Sequence, residues 1–219
     1  MKILTLCLLL CLFTTNVYAK SVNQLNFDNA LLSIQQRWAE ANYVKTQKAQ
    51  ENDFTELQQA LKSLTADFPE YAEAWIWCGI VQSSFAGIKG GLGALSLVDD
   101  AKSSFEKALS LDETALQGSA HTSLGILYLK VPGWPMSFGD DDKSEEHLNI
   151  ALKMNPKGID VNYFLAEFYF EKNKYKKAKE HLLLAKIAPQ RINRASADKF
   201  RQQEVSALLV QVNKSLTSN

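Results

Sequence analysis

The chain repeats a short pattern at a spacing of 34 residues, and this repeat restricts the possible folds more than any other feature. Residues 146–151 read Glu-His-Leu-Asn-Ile-Ala, and residues 180–185 read Glu-His-Leu-Leu-Leu-Ala. Ser144 and Ala178 keep the same spacing, and Ala101 begins a related Ala-x₃-Phe-x₂-Ala-Leu pattern upstream. A period of roughly 20–50 residues is typical of solenoids, in which each repeat is one supersecondary unit that packs on its neighbours.

A second helical pattern precedes each of these segments and keeps a small residue at one position. The three copies are Trp75-x₂-Cys78-Gly79-x₂-Gln82, His121-x₂-Leu124-Gly125-x₂-Tyr128 and Asn162-x₂-Leu165-Ala166-x₂-Tyr169. Together the two patterns resemble the tetratricopeptide repeat, W-x₂-L-G-x₂-Y followed by A-x₃-F and P. The resemblance implies antiparallel pairs of helices A and B. Gly79 and Gly125 would let the two helices of a pair approach closely.

We therefore predict an all-α fold, a right-handed superhelical solenoid of antiparallel helix pairs with a C-terminal capping helix. Residues 20–219 would form one helical domain. Its predicted units are a degenerate repeat at 28–69, repeats at 72–113, 118–156 and 159–190, and an amphipathic capping helix at 195–215.

The first 19 residues are predicted to be a cleaved signal peptide. Lys2 precedes an apolar run at 3–13, and a Val-x-Ala sequence ends at Ala19. The run is shorter than the ~20 apolar residues that cross a bilayer. Cys7 and Cys11 each follow a leucine, where a lipid-attachment signal needs a small residue. The sequence thus predicts export across the inner membrane to the periplasm, with no lipid anchor and no membrane span after the signal is removed.

Charge and motif content exclude several function classes. Equal numbers of basic and acidic residues, 24 of each, give no support to nucleic-acid binding. No catalytic arrangement of Ser, Cys, His or paired carboxylates stands out, so we expect neither an enzyme nor a cofactor. The run 140–142 of adjacent aspartates does not alternate as calcium ligands do. We expect it to cap a helix B, as we expect of Asp99 and Asp100 one repeat earlier.

The three histidines also lack the spacing of a metal site. We expect His147 and His181, which are equivalent positions of neighbouring repeats, to be partly exposed. His121 occupies a position that is often Trp in the repeat, and we expect it to be packed. No metal is therefore predicted.

Two insertions interrupt the repeat between helices A and B. The separation from Gly79 to Ala101 is 22 residues, whereas Ala166 to Ala178 spans 12. We expect residues 87–100 to form a flexible, partly apolar loop, and residues 131–143 to hold a fixed turn at Pro-Gly-Trp-Pro. The apolar residues of the second loop either fold back onto the stack, which we favour, or form an exposed anchor for a partner: Trp134, Met136 and Phe138.

Helix A of each repeat would line the concave wall, which is the usual binding surface of such a stack. By the phase of the repeat, the candidate binding residues on this wall are Ile76, Ile80, Ser83, Ser84, Thr122, Ile126, Leu129, Tyr163, Glu167, Phe170 and Glu171. The wall is apolar and faintly acidic. It lacks the Lys, Arg and Asn with which some proteins of this family bind a partner's C-terminal carboxylate, so that mode is not expected.

The resemblance and the predicted signal favour an exported, non-enzymatic protein that mediates protein–protein interaction in the periplasm or cell envelope. The whole chain also loosely resembles the T-component proteins of tripartite ATP-independent periplasmic transporters, although many of those are lipoproteins. This suggests an alternative, a small-ligand-binding accessory component of a solute transporter. A second alternative is a structural homo-oligomer, in which the acidic segment 99–146 of one copy meets the basic segment 172–201 of another.

Overall fold

The computed structural model describes the backbone of residues 2–218 and the side chains of residues 22–46 and 48–218. Within these residues the chain is all-helical and forms no strand, which confirms the predicted fold class. The α-helices are α1 (Lys2–Tyr43), α2 (Gln47–Asp67), α3 (Ala72–Lys89), α4 (Gly91–Leu111), α5 (Ala115–Lys130), α6 (Asp141–Met154), α7 (Ile159–Glu171), α8 (Tyr175–Lys186) and α9 (Ala195–Ser218). A short 3₁₀ helix, Ile192–Arg194, precedes α9.

Consecutive helices pack in adjacent pairs, α3 with α4, α5 with α6 and α7 with α8. The first helices of the pairs also contact one another, α3 with α5 and α5 with α7, so the pairs form a stack. Helix α1 packs on α2 and α3 at one end. The predicted signal peptide falls on residues whose side chains lie outside the described part.

Close contact within the pairs depends on glycine, as the repeat pattern indicates. A Cβ on Gly79 of α3 would lie 2.5 Å from the Phe105 ring of α4, and a Cβ on Gly125 of α5 would lie 2.6 Å from Leu148 of α6. Phe105 and Leu148 are themselves fully buried. The two helices of a pair are therefore as close as the absence of a side chain allows.

The first insertion is not a loop, and the expectation for residues 87–100 is wrong. Helix α3 continues to Lys89 and α4 begins at Gly91, so Gly90, with φ of 63°, is the break between them. The inserted residues lengthen both helices because Leu95 and Val98 continue the apolar face that α4 turns inward. Both side chains are partly or fully buried.

The aspartates at 140–142 and those at 99–100 differ in their position relative to helix ends. Asp140 is the N-cap of α6, and its side chain accepts a hydrogen bond of 3.1 Å from the Lys143 N–H. Asp99 and Asp100 lie inside α4, well after its start, so the expectation that they cap a helix is wrong.

Residues 191–218, which we call the C-terminal segment, do more than cover the last repeat. Helix α9 packs on α8, and it also contacts α7 and α1. The ring of Phe200 stacks on that of Tyr43 in α1 at 4.7 Å, and Ala197 is buried in a cluster with Trp38 and Trp77. The segment therefore crosses the side of the stack that α1, α3, α5 and α7 line. No helix in the part of the chain with described side chains is long and apolar enough to cross a membrane.

Candidate functional site

A cavity of about 220 Å³ lies where the C-terminal segment crosses the first helices of the pairs, and we call it the central cavity. Its walls come from α1, α3, α5, α7, the 3₁₀ helix and α9. Hydroxyl groups of Ser83, Ser84 and Ser123 line one part, and the aromatic rings of Trp38 and Phe164 line another. Because the lining also carries arginine and carboxylate groups, the cavity is polar and charged at one end.

Two of the arginines in this cavity are neutralised by carboxylates. Arg191 contacts Asp160 at 2.7 Å and also pairs with Asp198. Arg201 contacts Asp160 at 2.9 Å and Glu204 at 2.7 Å. Burial would raise the pKa of Asp160, but the guanidinium groups of Arg201 and Arg191, with a smaller contribution from Arg194, outweigh it and hold that pKa well below the ordinary carboxyl value. Asp160 therefore remains ionised and joins α7 to the C-terminal segment.

The third arginine, Arg194, has no such partner. Among the described side chains, no carboxylate lies within 4.0 Å of its guanidinium group. Its Cζ instead lies 4.8 Å from the centre of the Trp77 ring and 5.9 Å from that of Trp38. Burial lowers the pKa of Arg194 and the nearby charge of Arg191 lowers it further, while the more distant carboxylates of Asp160 and Asp198 offset part of this effect. The side chain thus carries a positive charge that forms no ion pair with the described residues.

A larger cavity of about 670 Å³ adjoins the central cavity, and we call it the apolar groove. It lies between the end of α3, the start of α4, the end of α5 and the turn at 131–136. Leu92, Leu95 and Val98 line one side of it, and Leu127 and Met136 line the other. Both insertions contribute to this groove, one by lengthening helices and one by supplying a turn.

The central cavity and the apolar groove share four lining residues. These are Ser83 and Ser84 on α3, and Ser123 and Ile126 on α5. Ile80 and Ser119, which come earlier on the same helices, line only the central cavity. The two cavities therefore follow one another along α3 and α5.

The second insertion forms a turn whose ends are fixed. The Gly139 N–H donates to the Pro132 carbonyl at 2.9 Å, and the Asp140 N–H donates to the Tyr128 carbonyl at 3.0 Å. Phe138 packs edge-on against Tyr128, with ring centres 5.5 Å apart.

The tip of this turn projects away from the stack. Trp134 is 89% exposed and Met136 is 70% exposed. Our preferred interpretation, that the apolar residues of the loop fold back, is therefore right for Phe138 and wrong for Trp134 and Met136. The reason is that a hydrogen bond between Gly139 and Pro132 closes the turn, so its tip stays at the edge of the groove and does not pack onto the helices.

The predicted wall residues divide between the core and the cavities. Ile76 is fully buried beside Ala108 and Ala115, so its assignment to the wall is wrong. The reason is that α4 and the start of α5 cover this face of α3. Ile80 and Ile126 line the cavities as predicted.

The remaining wall candidates lie on α5 and α7. Thr122 lines the central cavity although it is only 8% exposed. Tyr163 is partly buried under Arg201, whose Cζ lies 4.6 Å from the ring centre. Glu167 is partly buried and pairs with Lys130 at 2.9 Å, and Phe170 packs near Tyr175. Each of these three side chains therefore contacts another part of the protein, and together they do not form one exposed binding surface.

A pair of histidines was missed by the sequence reasoning. Nδ1 of His121 lies 2.8 Å from Nδ1 of His147, which also stacks on Tyr128. In the next repeat, His181 bonds to Asn162 at 3.0 Å and stacks on Tyr169 in the same way. The signal was in the sequence, since Asn162 and His121 occupy the same position of the repeat. These bonds join helix A to helix B.

The surroundings of the three histidines are those of packed side chains that join helices. Burial lowers the pKa of His121, His147 and His181. Over the described residues, no three side chains of His, Cys, Asp or Glu converge as metal ligands would. Burial also raises the pKa of Cys78, which disfavours its reactive thiolate form.

The acidic and basic segments of the chain contact each other within one molecule. Lys172 in the basic segment lies 2.6 Å from Asp141 in the acidic segment. Arg191 and Arg201 are also paired internally, as described above. Some of the charged side chains that would pair between two copies therefore already form ion pairs within one molecule.

Comparison with known proteins identifies the repeat. Residues 159–186 match the tetratricopeptide repeat family model. A thermophilic TPR protein in Thermus thermophilus is similar in structure, with a TM-score of 0.55 and 17% identity over 90% of this chain and 95% of that one. MamA has a TM-score of 0.45 and 19% identity, over 80% of this chain and 97% of its own. No curated protein matches the sequence.

The match and the architecture confirm the resemblance that the sequence pattern indicated: the chain contains a tetratricopeptide repeat and has the fold of a tetratricopeptide protein. This fold suggests a scaffold for protein–protein interaction, and proteins built from such repeats are generally non-catalytic.

Proposed function

We propose that this chain is an exported, non-enzymatic tetratricopeptide protein that binds a partner protein in the periplasm or cell envelope. The partner would contact the rim of the apolar groove, where three large apolar side chains are exposed. Leu92 is 87% exposed, Trp134 is 89% exposed and Met136 is 70% exposed. This exposed apolar rim is the observation that carries the proposal, because large apolar side chains grouped at one place on a surface mark interaction sites, whereas single exposed ones do not.

The rim is well suited to protein recognition for two physical reasons. Tryptophan supplies a large apolar surface and is among the residues that dominate binding energy at interfaces. The turn that carries Trp134 is also fixed at both ends by hydrogen bonds to Pro132 and Tyr128. Binding would therefore cost little conformational entropy, because the anchor is already in position.

Support for export comes from the N-terminal sequence. The apolar run at 3–13 and the small residue at Ala19 are typical of a signal that a peptidase removes. Fractionation of the source cells, with mass spectrometry of the purified protein, tests this step. We expect the protein in the periplasmic fraction with Lys20 as its first residue, and a cytoplasmic protein that begins at Met1 would refute export.

Site-specific photo-crosslinking tests the partner contact in living cells. A photoreactive phenylalanine analogue replaces Trp134 in one variant and Ile187 in a control, since Ile187 is also exposed (79%) but lies at the end of α8. We expect one defined protein adduct from position 134 and none from position 187. The same adducts from both positions, or none from position 134, would count against the rim as the contact.

A second candidate is a small-ligand-binding accessory component of a solute transporter. It is favoured by the apolar groove, whose volume of about 670 Å³ lies in the usual range for ligand sites. Mass spectrometry of organic extracts from the purified protein tests it. A small molecule should be retained by the unmodified protein and lost from Leu95→Glu, which places a charge in the groove. An extract with no bound molecule, and no binding of added apolar probes, would refute it.

A further inference from the structure

We propose that the central cavity and the apolar groove together bind an amphiphilic carboxylic acid, with its carboxylate on Arg194 and its hydrocarbon chain in the groove. This deepens the small-ligand candidate and rests on it, whereas it is independent of the partner contact at the rim. The inference uses three features of the structure: a cation without an ion pair, an adjoining apolar space and the polar residues that lie between them.

The cation is the first feature. A partly buried guanidinium group normally has a carboxylate partner, because removing a charge from water is costly. Arg191 and Arg201 follow this rule through Asp160. Arg194 lies beside the Trp38 and Trp77 rings, and Asp160 and Asp198 are near enough to act on its charge, but neither forms an ion pair with it. Such ring contacts leave the donors of the guanidinium group free for a planar anion, which they bind in a bidentate way.

The charges around the cavity favour a carboxylate over a doubly charged anion. The nearby carboxylates, those of Asp160, Asp198 and Glu204, are already engaged by Arg191 and Arg201. With Arg194 included, three arginines balance three carboxylates, so a single carboxylate on Arg194 would leave one net negative charge in the cluster. A phosphate dianion would bring a second negative charge, which Asp160 and Glu204 in the cavity lining would repel.

The path from the cation to the groove is short. The Trp38 ring that lies beside Arg194 donates its indole N–H to Ser84 Oγ at 3.0 Å. Ser84 lines both the central cavity and the apolar groove. A ligand head on Arg194 would therefore direct its chain past Ser84 and Ile126 to the leucines of the groove.

Lys130 also lines the groove, and it is a poor alternative as the head-group site. Its ammonium group already contacts two carboxylates, those of Glu167 and Glu171. An incoming anion at Lys130 would meet both of these negative charges. Arg194 is therefore the better-suited head-group site.

The experiment compares three probes, decanoate below its micelle concentration, decan-1-ol and acetate. Binding to the purified protein is followed by tryptophan fluorescence, because Trp38 and Trp77 lie beside Arg194. We expect decanoate to bind at least about tenfold more tightly than decan-1-ol, and acetate to bind weakly, since only decanoate uses both parts of the site.

Variants then assign the head group. Arg194→Met keeps an apolar stem beside the rings and should weaken decanoate binding about tenfold to hundredfold, with decan-1-ol unchanged. Arg194→Lys should retain part of the affinity. Arg37→Met is the matched control, since Arg37 is paired with Glu56 on the surface of α1 and should not affect either probe.

Two outcomes overturn the inference, and they differ in what else they refute. If decan-1-ol and decanoate bind equally, and Arg194→Met changes neither, the carboxylate site is wrong while the small-ligand candidate survives. If none of the probes binds, both are wrong. Retained binding of decan-1-ol by Arg194→Met shows that the variant is folded.

Discussion

Two glycines of α3 are predicted to respond in opposite ways to the same substitution by alanine. At Gly79, a Cβ would lie 2.5, 2.7 and 2.7 Å from three atoms of the Phe105 ring, which is fully buried. At Gly87, no atom lies within 4 Å of the added Cβ. Both residues belong to one helix, so their intrinsic helix propensities are comparable, and packing is what distinguishes them.

The magnitudes follow from two opposing contributions. Replacing glycine by alanine within a helix stabilises it by about 1 kcal/mol, and somewhat less near the helix end where Gly87 lies. Overpacking a filled core costs about 1–3 kcal/mol, and Phe105 cannot move away because its ring is enclosed. The overlap at Gly79 is severe, which favours the upper end of this cost, about 3 kcal/mol. After the helix gain of about 1 kcal/mol, Gly79→Ala should lower the free energy of unfolding by about 2 kcal/mol, while Gly87→Ala should raise it by up to about 1 kcal/mol.

Urea denaturation followed by far-ultraviolet circular dichroism measures both changes. For a chain of this size, thermal unfolding should shift by about 2–4 °C for each kcal/mol, so Gly79→Ala should lower Tm by roughly 4–8 °C. A Gly79→Ala variant as stable as the unmodified protein would refute the close packing of α3 on α4. A decrease of the same size in Gly87→Ala would show that the effect is not one of packing.

Three further predictions concern charge and protonation. Burial lowers the pKa of the three histidines in the folded protein, so the unfolded chain takes up protons at a higher pH than the folded one. The urea concentration at the unfolding midpoint should therefore decrease as the pH is lowered from about 7.5 to about 5.5. An unchanged midpoint would contradict this. Asp160→Asn leaves two arginines short of a shared carboxylate and should cost about 3 kcal/mol in urea denaturation, so a loss below about 1 kcal/mol would argue against the network. Asp140→Ala removes an N-cap and should cost about 1 kcal/mol, whereas Asp99→Ala, inside α4, should change stability by less than about 0.5 kcal/mol.

The all-α fold could be predicted because its determinants lie close together in the sequence. Each repeat encodes its own contact, such as Gly79 against Phe105 or Gly125 against Leu148, within one period of the chain. A pattern of this kind appears in the sequence as small and large residues at fixed spacing. The predicted class therefore needed no knowledge of distant contacts.

The inserted residues show where composition was given too much weight. Three glycines at positions 90, 91 and 93 suggested a loop, yet Gly90 alone separates the two helices. The apolar spacing of Leu95, Val98 and Ala101 was a helical signal that the glycines obscured. Extended helices, rather than a flexible loop, therefore form one side of the apolar groove.

Long-range contacts could not be predicted from local patterns. Ile76 was assigned to the binding wall by repeat phase, but the neighbouring pair covers it. The stacking of Phe200 on Tyr43 joins the two ends of the solenoid, and no repeat spacing relates these residues. Arg194 enters the cavity from the C-terminal segment, so the absence of basic residues from the predicted wall did not indicate the charge of the site.

The proposed ligand site would link ligand binding to the docking of the C-terminal segment. The segment supplies Arg194 and one wall of the central cavity, while α1, α3, α5 and α7 supply the other walls, including Ser84 and Ile126. A ligand that contacts both sides would bind only when the segment is docked against α1 and α7. By mass action such a ligand would stabilise the docked form, and its affinity would fall whenever the Phe200–Tyr43 contact is weakened.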